Sequence, residues 1–376
     1  MEDQPLGSQV HTGKTPEIEK WFRAAMKANA SDLHLKVGMP PKLRVHSKLK
    51  STTGEPLTEQ RIEELVFEIM SPGQKQFFME HGALDFAYQV GKTDRFRINA
   101  FRQRGFVSMS ARHISGSIPP FASLHVPPVV EKIAESHDGM ILVTGPTGCG
   151  KSTTIASMID HINSTSAAHI VTIEDPLEFL HVDKKSIVSQ REIGIDVPNF
   201  DEALRSMMRQ DPDVVLVGEI RDHLTLSAAM KAAETGHLVF GTLHANNCAQ
   251  TIQRILDMFP QDERELMRQT FAMTIRAVIS QQLLPGIRPD VPRIPAIEIM
   301  INTPIVRKLI QEEREADLPA AIRAGSGEGM QDFTESLRRL IEEEYIDLKK
   351  GLEYAPNVEE LKMALKGIRS GSSGIL

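Results

Sequence analysis

Two hydrophobic periodicities divide this chain of 376 residues. Up to residue 115, short segments alternate hydrophobic and polar residues with the period of two that half-buried strands show. Strands are predicted at 30–35, 42–49, 84–90, 95–101 and 105–114, and helices with one apolar side at 16–29 and 58–70. We therefore predict a compact α+β domain over residues 16–115.

Beyond residue 128, hydrophobic strand segments alternate with amphipathic helices. Strands are predicted at 141–144, 170–174, 214–219 and 238–243, and helices at 152–163, 200–210, 222–234, 247–258 and 262–284. This alternation is typical of an α/β fold with a mainly parallel sheet and helices on both faces. Residues 304–364 are mostly amphipathic helix, so we predict a second domain over 129–365 with a helical C-terminal segment.

The remaining segments are predicted to be connections. Residues 116–128 contain four prolines and little periodicity, which indicates a linker between the two domains. Residues 1–15 are polar, and residues 366–376 are rich in glycine and serine. We expect these two segments to form a flexible leader and a flexible tail.

Composition excludes several classes of protein. The net charge of −7 disfavours non-specific binding to nucleic acid or to an anionic membrane. No apolar run approaches the roughly 20 residues that span a bilayer, and the N-terminal residues lack the pattern of a secretory signal. The two cysteines, Cys149 and Cys248, form no C-x-x-C pair, which excludes a structural zinc site of that kind and fits a reducing cytosol.

A phosphate-binding motif connects the first strand and helix of the second domain. Gly145-Pro-Thr-Gly-Cys-Gly-Lys-Ser152 fits G-x-x-x-x-G-K-[ST], in which backbone N–H groups and a helix N-terminus converge on one anion. Lys151 would add a charge between the β- and γ-phosphates, and the Ser152 hydroxyl would bind magnesium. The residues predicted to bind a nucleoside triphosphate are Gly145, Pro146, Thr147, Gly148, Cys149, Gly150, Lys151, Ser152 and Thr153.

Two acidic residues follow predicted strands of the same sheet. Glu174 lies in Thr172-Ile-Glu-Asp-Pro176, where a carboxylate could orient the attacking water or simply belong to a solvated turn. Glu219 follows an apolar strand and Gly218, a position where many phosphate-loop enzymes carry aspartate. We favour a magnesium-binding role for Glu219 over that of a surface glutamate that ends a buried strand.

Histidines and arginines are further candidates, each with a simpler structural interpretation. His237 and His244 bracket the strand 238–243 and could sense a γ-phosphate or be structural, but about 20 Å of strand prevents them from sharing one metal ion. Five arginines lie on the first domain, where an exposed strand face is the simpler interpretation and phosphate binding the alternative. They are Arg95, Arg97, Arg102, Arg104 and Arg112.

Together these segments resemble a known family. GPTGCGKST, TIEDPLEF, DPDVVLVGEIRD and AETGHLVFGTLHANN resemble the Walker A, Asp-box, Walker B and His-box motifs of secretion ATPases. The chain is similar to the PilT/PilU-type retraction ATPases of type IV pili from about residue 17 to 365. ASDLHLKVGMPPKLRV, RFRINAF and AIRAGSGEGMQDFTESL carry this similarity outside the nucleotide motifs.

The resemblance implies a homohexameric ring in which each subunit joins a PAS-like N-terminal domain to a RecA-like ATPase domain. Its cofactors would be ATP and Mg²⁺, the latter held by Ser152 and Glu219. Glu174 corresponds to the catalytic carboxylate, Glu219 to the Walker B acid and His237 with His244 to the His-box pair. Arg97 and Arg112 correspond to arginines that the N-terminal domain supplies to the nucleotide, within one subunit or across an interface.

The expected function is a Mg-ATPase motor that retracts pili by coupling hydrolysis to domain rotation. It would work at the cytoplasmic face of the inner membrane, docked on a platform protein of the pilus machine, with a paralogous retraction ATPase as a further candidate partner. Cys149 stands where the family usually has serine, which would make the loop oxidisable.

Several alternatives to this function remain, some within the same superfamily and some from other classes of protein. A motor of the same superfamily could drive pilus extension, type II secretion or DNA uptake, but the absence of a tetracysteine zinc insert favours retraction. Some of the sequence motifs are more similar to those of PilT and others to those of PilU, so the motifs do not distinguish these two types. An ATP-sensing module without turnover and a nucleic-acid translocase are further alternatives, disfavoured by the two acids and by the net charge respectively.

Overall fold

A computed structural model of the chain describes residues 15–45, 48–91, 94–114 and 116–368. Most of the predicted leader and tail lies outside these residues. The chain forms two compact units, and the first extends to Ile118 and also includes residues 176–182 and 191–199. The predicted domain boundaries differ from this division, because they assign residues 176–182 and 191–199 to the second domain. The second unit contains residues 119–175, 183–190 and everything after 199.

The first unit contains one antiparallel sheet of six strands in the order β3-β2-β1-β6-β5-β4. Its helices are α1 (Glu19–Lys27), α2 (Glu59–Glu68) and α3 (Pro72–His81). Its strands are β1 (Asp32–Leu35), β2 (Lys42–Val45), β3 (Lys48–Ser51), β4 (Ala83–Val90), β5 (Asp94–Gln103) and β6 (Phe106–Ile114). The predicted α+β class of this region is correct.

Alternating burial explains this sheet. Along β4 every second residue from Leu84 to Val90 is buried, which places one face of the strand in the core. Phe22 of α1 stacks on Phe96 of β5 with ring centroids 4.4 Å apart, so helix and sheet share one apolar core. Two predictions are incomplete, because the single strand predicted at 42–49 is two strands and the periodicity does not predict α3.

The second unit contains a seven-stranded sheet in the order β13-β12-β7-β11-β10-β8-β9. Its strands are β7 (Gly139–Thr144), β8 (His169–Glu174), β9 (Ile187–Glu192), β10 (Val214–Val217), β11 (Leu238–Leu243), β12 (Ile275–Arg288) and β13 (Val291–Ile301). The chain passes from the second unit into the first within β9. The pairs β12–β7, β7–β11, β11–β10 and β10–β8 are parallel, whereas β12 and β13 are antiparallel, so the sheet is mainly parallel as predicted.

Helices follow most of these strands and continue to the end of the described chain. The helices are α4 (Phe121–Leu124), α5 (Val129–Ala134), α6 (Lys151–Thr165), α7 (Phe200–Met207), α8 (His223–Glu234), α9 (Cys248–Asp257), α10 (Arg264–Thr274), α11 (Pro304–Gln311), α12 (Leu318–Ala324), α13 (Phe333–Glu342), α14 (Leu348–Tyr354) and α15 (Val358–Leu365). The last five confirm the helical C-terminal segment. Within the residues that the structure describes, no helix combines the length and hydropathy that a bilayer span requires.

The helix predicted over 262–284 is wrong in its second half. α10 ends at Thr274, and the chain continues as β12, which pairs with β7 on one side and β13 on the other. Ile275, Val278 and Ile279 are fully buried there, and β-branched side chains suit a pleated, buried strand. The hairpin of β12 and β13 therefore places residues 275–288 beside the strand that precedes the glycine-rich turn.

A candidate nucleotide site at one edge of the parallel sheet

The turn between β7 and α6 has the backbone of a phosphate loop. Gly145, Gly148 and Gly150 have φ angles of +145°, +79° and +94°, which residues with a side chain rarely adopt. The chain curls between the buried strand and the N-terminus of a helix of 15 residues. Backbone N–H groups in such a turn can converge on a phosphate.

The Lys151 side chain lies across this turn. Its Nζ donates hydrogen bonds to the carbonyl oxygens of Gly145 at 2.9 Å and Pro146 at 3.2 Å. Ser152 follows on the exposed side of the first turn of α6. A positive charge and a hydroxyl at a helix N-terminus are suited to a phosphate with its magnesium ion.

Cys149 is buried within the turn. Only 3% of the residue is exposed, and burial raises the pKa of its thiol. A neutral, buried thiol reacts slowly because the thiolate is the nucleophile. The structure therefore does not support the prediction that Cys149 makes this loop easy to oxidise.

Four neighbouring parallel strands bring most of the predicted residues to one edge of the sheet. Strands β7, β11, β10 and β8 are adjacent in this order. The glycine-rich turn, His244, Glu219 and Glu174 each lie at or just beyond the carboxyl end of one of these strands. This edge is where open parallel sheets bind their ligands.

Glu174 is the most buried acid of this group. It ends β8 with 7% of its surface exposed. Its Oε1 accepts a hydrogen bond from Thr172 Oγ1 at 2.7 Å and from Gln190 Nε2 at 3.4 Å. The carboxylate is thus held by donors, as expected of a group that positions a reactant and not of a solvated turn.

Gly218 explains how Glu174 fits against β10. A Cβ atom at Gly218 would lie 3.2 Å from both Cα and Cγ of Glu174. Gly218 also donates its backbone N–H to the carbonyl oxygen of Ile173 at 2.8 Å. An aspartate at position 218 would therefore displace Glu174, which accounts for the glycine at this position.

Glu219 and His244 meet at the ends of β10 and β11. His244 Nε2 lies 3.0 Å from Glu219 Oε1, and Arg221 Nη2 donates to Glu219 Oε2 at 2.6 Å. The Arg221 guanidinium holds the pKa of Glu219 below its ordinary value, with a smaller contribution from His244. Glu219 is therefore ionised at neutral pH, as a magnesium ligand must be.

His237 does not lie with these residues. It precedes β11 and accepts, through its carbonyl oxygen, the N–H of Gly139 at the start of β7. Its Nδ1 lies 2.9 Å from the carbonyl oxygen of Ala232. The strand between His237 and His244 is about 20 Å long, so within one chain the two histidines lie at opposite ends of β11.

The predicted arginines belong to the first unit, where Arg95, Arg97 and Arg112 contact carboxylates. Arg97 and Arg112 are directly paired across β5 and β6. Arg112 Nε donates to Asp32 Oδ1 at 3.1 Å. Arg95 Nη2 and Arg97 Nε lie 3.3 and 3.8 Å from the carboxylate of Glu192, which is fully buried.

Sequence reasoning misses the polar residues of β12. Gln281 Nε2 donates to the carbonyl oxygen of Cys149 at 2.7 Å, and Ser280 Oγ lies 2.7 Å from Thr144 Oγ1. Both are buried next to the phosphate loop. The polar run Ser280-Gln281-Gln282 inside an apolar strand is a detectable signal, but the helix predicted at this place conceals it.

A cavity of about 300 Å³ borders the turn and His244. Its lining includes Gly145, Pro146, His244, Asn246 and Arg254. Amide, imidazole and guanidinium groups therefore surround open space next to the phosphate loop. This space can take a polar ligand or the water that a hydrolysis reaction requires.

Comparison with known proteins identifies the family. The sequence profile of the family described as Type II/IV secretion system protein matches residues 126–344. PilT of Pseudomonas aeruginosa, a type IV pilus retraction ATPase, is 41% identical over 339 residues, which are 90% of this chain and 98% of that protein. This chain belongs to the type II/IV secretion ATPase family.

Two further similarities define its type. PilU of the same organism, a type IV pilus ATPase, is 36% identical over 93% of this chain and 91% of its own length. A crystal structure of the pilus retraction motor PilT with bound ADP superimposes with a TM-score of 0.83 at 41% identity, covering 93% of this chain and 99% of that one. These similarities define a PilT-type ATPase, within the PilT/PilU type that its motifs predict.

Proposed function

We infer that this PilT-type ATPase powers the retraction of type IV pili and thereby twitching motility. The observation that carries this inference is the edge of the sheet where the phosphate loop, Glu174, Glu219 and His244 lie together. Full-length similarity to PilT supports the machine in which such a site would work. The two cysteines of the chain cannot form a tetracysteine zinc insert, which argues against the extension and secretion alternatives.

The roles of the residues follow from their geometry. Residues Gly145–Thr153 hold the phosphates, with Lys151 supplying a positive charge. Ser152 and Glu219 would hold Mg²⁺, because hydroxyl and carboxylate oxygens are the ligands it prefers. When bound, the ion would offset negative charge on the phosphates.

Glu174, fixed by Thr172 and Gln190, orients the attacking water. His244 holds the Glu219 carboxylate in place. We assign no role in this site to His237, since it lies at the amino end of β11 and the site lies at the carboxyl end. Arg97 and Arg112 are proposed as nucleotide-contacting arginines on the resemblance alone.

The assembly is also part of the proposal. We propose a homohexamer that docks on a platform protein at the cytoplasmic face of the inner membrane, where a paralogous retraction ATPase would join it. Pseudomonas aeruginosa has both PilT and PilU, each similar to this chain, and this pair is the precedent for a second ATPase. An ATP-sensing module without turnover is the second candidate from another class, and a phosphate-release assay separates it from a motor.

A count of surface pili tests the function. A deletion strain is complemented with the wild-type gene or with Lys151→Ala, and pili and twitching are scored. We expect abundant pili without twitching in the deletion strain, with rescue by the wild type only. Bald cells would assign the protein to pilus extension, and normal motility in the deletion strain would remove the support for a retraction role.

A further inference from the structure

Gln281 is a buried amide that contacts the phosphate loop from β12. The residue is 2% exposed, and each polar atom of its side chain has a partner. Nε2 donates to the carbonyl oxygen of Cys149 at 2.7 Å, and Oε1 accepts from Thr154 Oγ1 at 3.0 Å. Because a backbone carbonyl can only accept, the NH₂ end of the amide must face Cys149.

This contact determines the direction of one peptide group in the loop. In a trans peptide the C=O of one residue and the N–H of the next point in opposite directions. With the Cys149 carbonyl bound to Gln281, the N–H of Gly150 points away from β12. That N–H is one of the donors that a phosphate loop presents to its anion.

The same peptide has little intrinsic preference for this direction. It joins Cys149 to Gly150, and Gly148 and Gly150 on either side of Cys149 both adopt positive φ angles. Glycine adopts positive and negative φ with similar ease, so the loop backbone can rotate at low cost. An external hydrogen bond is therefore needed to keep the donor aimed, and Gln281 supplies it.

Gln281 also touches the beginning of the loop. A Cβ atom at Gly145 would lie 2.2 Å from the backbone oxygen of Gln281, and one at Gly150 would lie 3.1 Å from its Nε2. The residue thus contacts both ends of the turn. Because the Gln281 side chain is already close to Gly150, a bulkier side chain at position 281 would shift the loop.

We propose that Gln281 is a positioning residue that pre-orients the phosphate loop for the diphosphate group of a nucleotide. This inference rests on the proposed role of Gly145–Thr153 as the phosphate-binding residues. Since the oriented donor serves ADP and ATP alike, its loss weakens binding of both nucleotides and leaves the hydrolytic step largely intact.

Two substitutions separate the hydrogen bond from packing. Gln281→Met keeps the unbranched shape and approximate volume but removes both polar atoms. Gln281→Glu keeps the shape and the acceptor for Thr154, yet places a carboxylate against the Cys149 carbonyl. Gln282→Met is the matched control, because the adjacent residue of a strand points to the other face of the sheet.

The experiment measures ADP affinity with a fluorescent ADP analogue, and kcat and KM for ATP, on the full chain. For Gln281→Met we expect affinity and KM to worsen by about 10- to 100-fold, with kcat changed by less than about threefold. Gln281→Glu should lose more ADP affinity than Gln281→Met. The ADP affinity and KM of Gln282→Met should stay within about twofold of the wild-type values. Thermal unfolding without nucleotide verifies that each variant is folded.

Two results would contradict the proposal. One is wild-type ADP affinity in Gln281→Met, and the other is a fall in kcat at unchanged KM. Thr154→Val, which removes only the partner of Oε1, should give the same pattern at smaller size and replaces Gln281→Met if that variant does not fold. Lys151→Ala tests the loop itself, because unchanged ADP binding in Lys151→Ala would overturn the proposed site independently of Gln281.

Discussion

At the scale of single residues, Gly218 shows how a missing side chain places a carboxylate. Its Cα approaches Glu174 so closely that a Cβ would have to displace it. The Glu174 side chain is also confined by Thr172 and Gln190. The position of the acid is therefore set by packing and hydrogen bonds together, and either can be altered separately.

Replacing Gly218 with alanine should slow turnover. The new methyl group lies 3.2 Å from Glu174, so the carboxylate must shift by a few tenths of an ångström. We expect kcat to fall about 10-fold with little change in ADP affinity, because misplacement acts on the chemical step. Gly327→Ala is the control, since a Cβ there meets nothing within 4 Å. Steady-state ATPase kinetics check this, and wild-type kcat in Gly218→Ala would refute it.

The ion pair of Arg221 and Glu219 predicts a pH dependence. Arg221 lowers the pKa of Glu219, so the pair stabilises the fold above the unfolded-state pKa and this contribution is lost as pH falls through the folded-state pKa. Arg221→Met should lower the free energy of unfolding at pH 7 by less than about 1 kcal/mol, since the Arg221 side chain is exposed and solvent screens the pair. The difference from wild type should shrink below about pH 4.

Thermal unfolding of the wild type and Arg221→Met across this pH range measures the effect. Arg293→Met, which changes an exposed arginine of β13, serves as a control for loss of charge. A stability difference that grew as the pH fell would show that the sign of the linkage is wrong.

At the scale of elements, the sequence predicts best those strands whose pattern is set locally. The four strands β7, β8, β10 and β11 are buried along nearly their whole length, and such strands are continuous apolar runs. Their order along the chain indicates which residues share the carboxyl edge. For this reason the loop, Glu174, Glu219 and His244 can be placed at one edge of the sheet from the amino-acid sequence alone.

The strand β12, which the sequence predicts as helix, depends on a distant partner. β12 pairs with β7, more than 130 positions earlier in the chain, and its own residues fit a helix equally well by periodicity. The role of Gln281 is hidden for the same reason. The separation of His237 and His244, in contrast, follows from the local pattern, because the strand between them is predicted from its own apolar run.

The helix α3 is missed although it carries a local signal. Ser71 Oγ accepts from the Gln74 N–H at 3.3 Å, and Gln74 Oε1 accepts from the Ser71 N–H at 2.9 Å, with Pro72 at the first position of the helix. This is a capping box. The apolar residues of α3 show only weak helical periodicity, so a prediction based on apolar residues does not find this helix.

Removal of this cap should destabilise the chain measurably. Ser71→Ala leaves the Gln74 N–H without its side-chain acceptor, and we expect a loss of about 1 kcal/mol in the free energy of unfolding. Urea unfolding of the wild type, Ser71→Ala and Ser71→Thr gives the comparison, since threonine retains the hydroxyl. Equal stability of the alanine variant and the wild type would mean that the cap contributes nothing.

At the scale of the whole molecule, the chain passes repeatedly between two units. Residues 176–182 and 191–199 belong to the first unit, although they are flanked by strands of the second. One crossing follows Asp175, next to Glu174, and another follows Gln190, which donates to Glu174. Glu192, two residues beyond Gln190, contacts Arg95 and Arg97. Glu174 is therefore connected by short covalent segments to the unit that carries the arginines.

Arg97 gives a test of the role assigned to those arginines. Arg97→Ala should reduce kcat by at least about 100-fold if its guanidinium contacts the nucleotide during hydrolysis. Arg97→Lys keeps a positive charge near Glu192 but loses the planar fork, so it should restore stability more fully than activity. Arg104→Ala serves as the control on a neighbouring turn. Full activity in Arg97→Ala would remove this arginine from the mechanism.

The most direct test of the whole account is the turnover of Glu174→Gln. The amide keeps the shape of the side chain and can still accept from Thr172, but it cannot act as the carboxylate that orients water. We expect ATP to bind with an affinity close to that of the wild type, while single-turnover phosphate release slows by at least about 100-fold. Release at the wild-type rate would contradict the assignment of Glu174 and, with it, the proposed site.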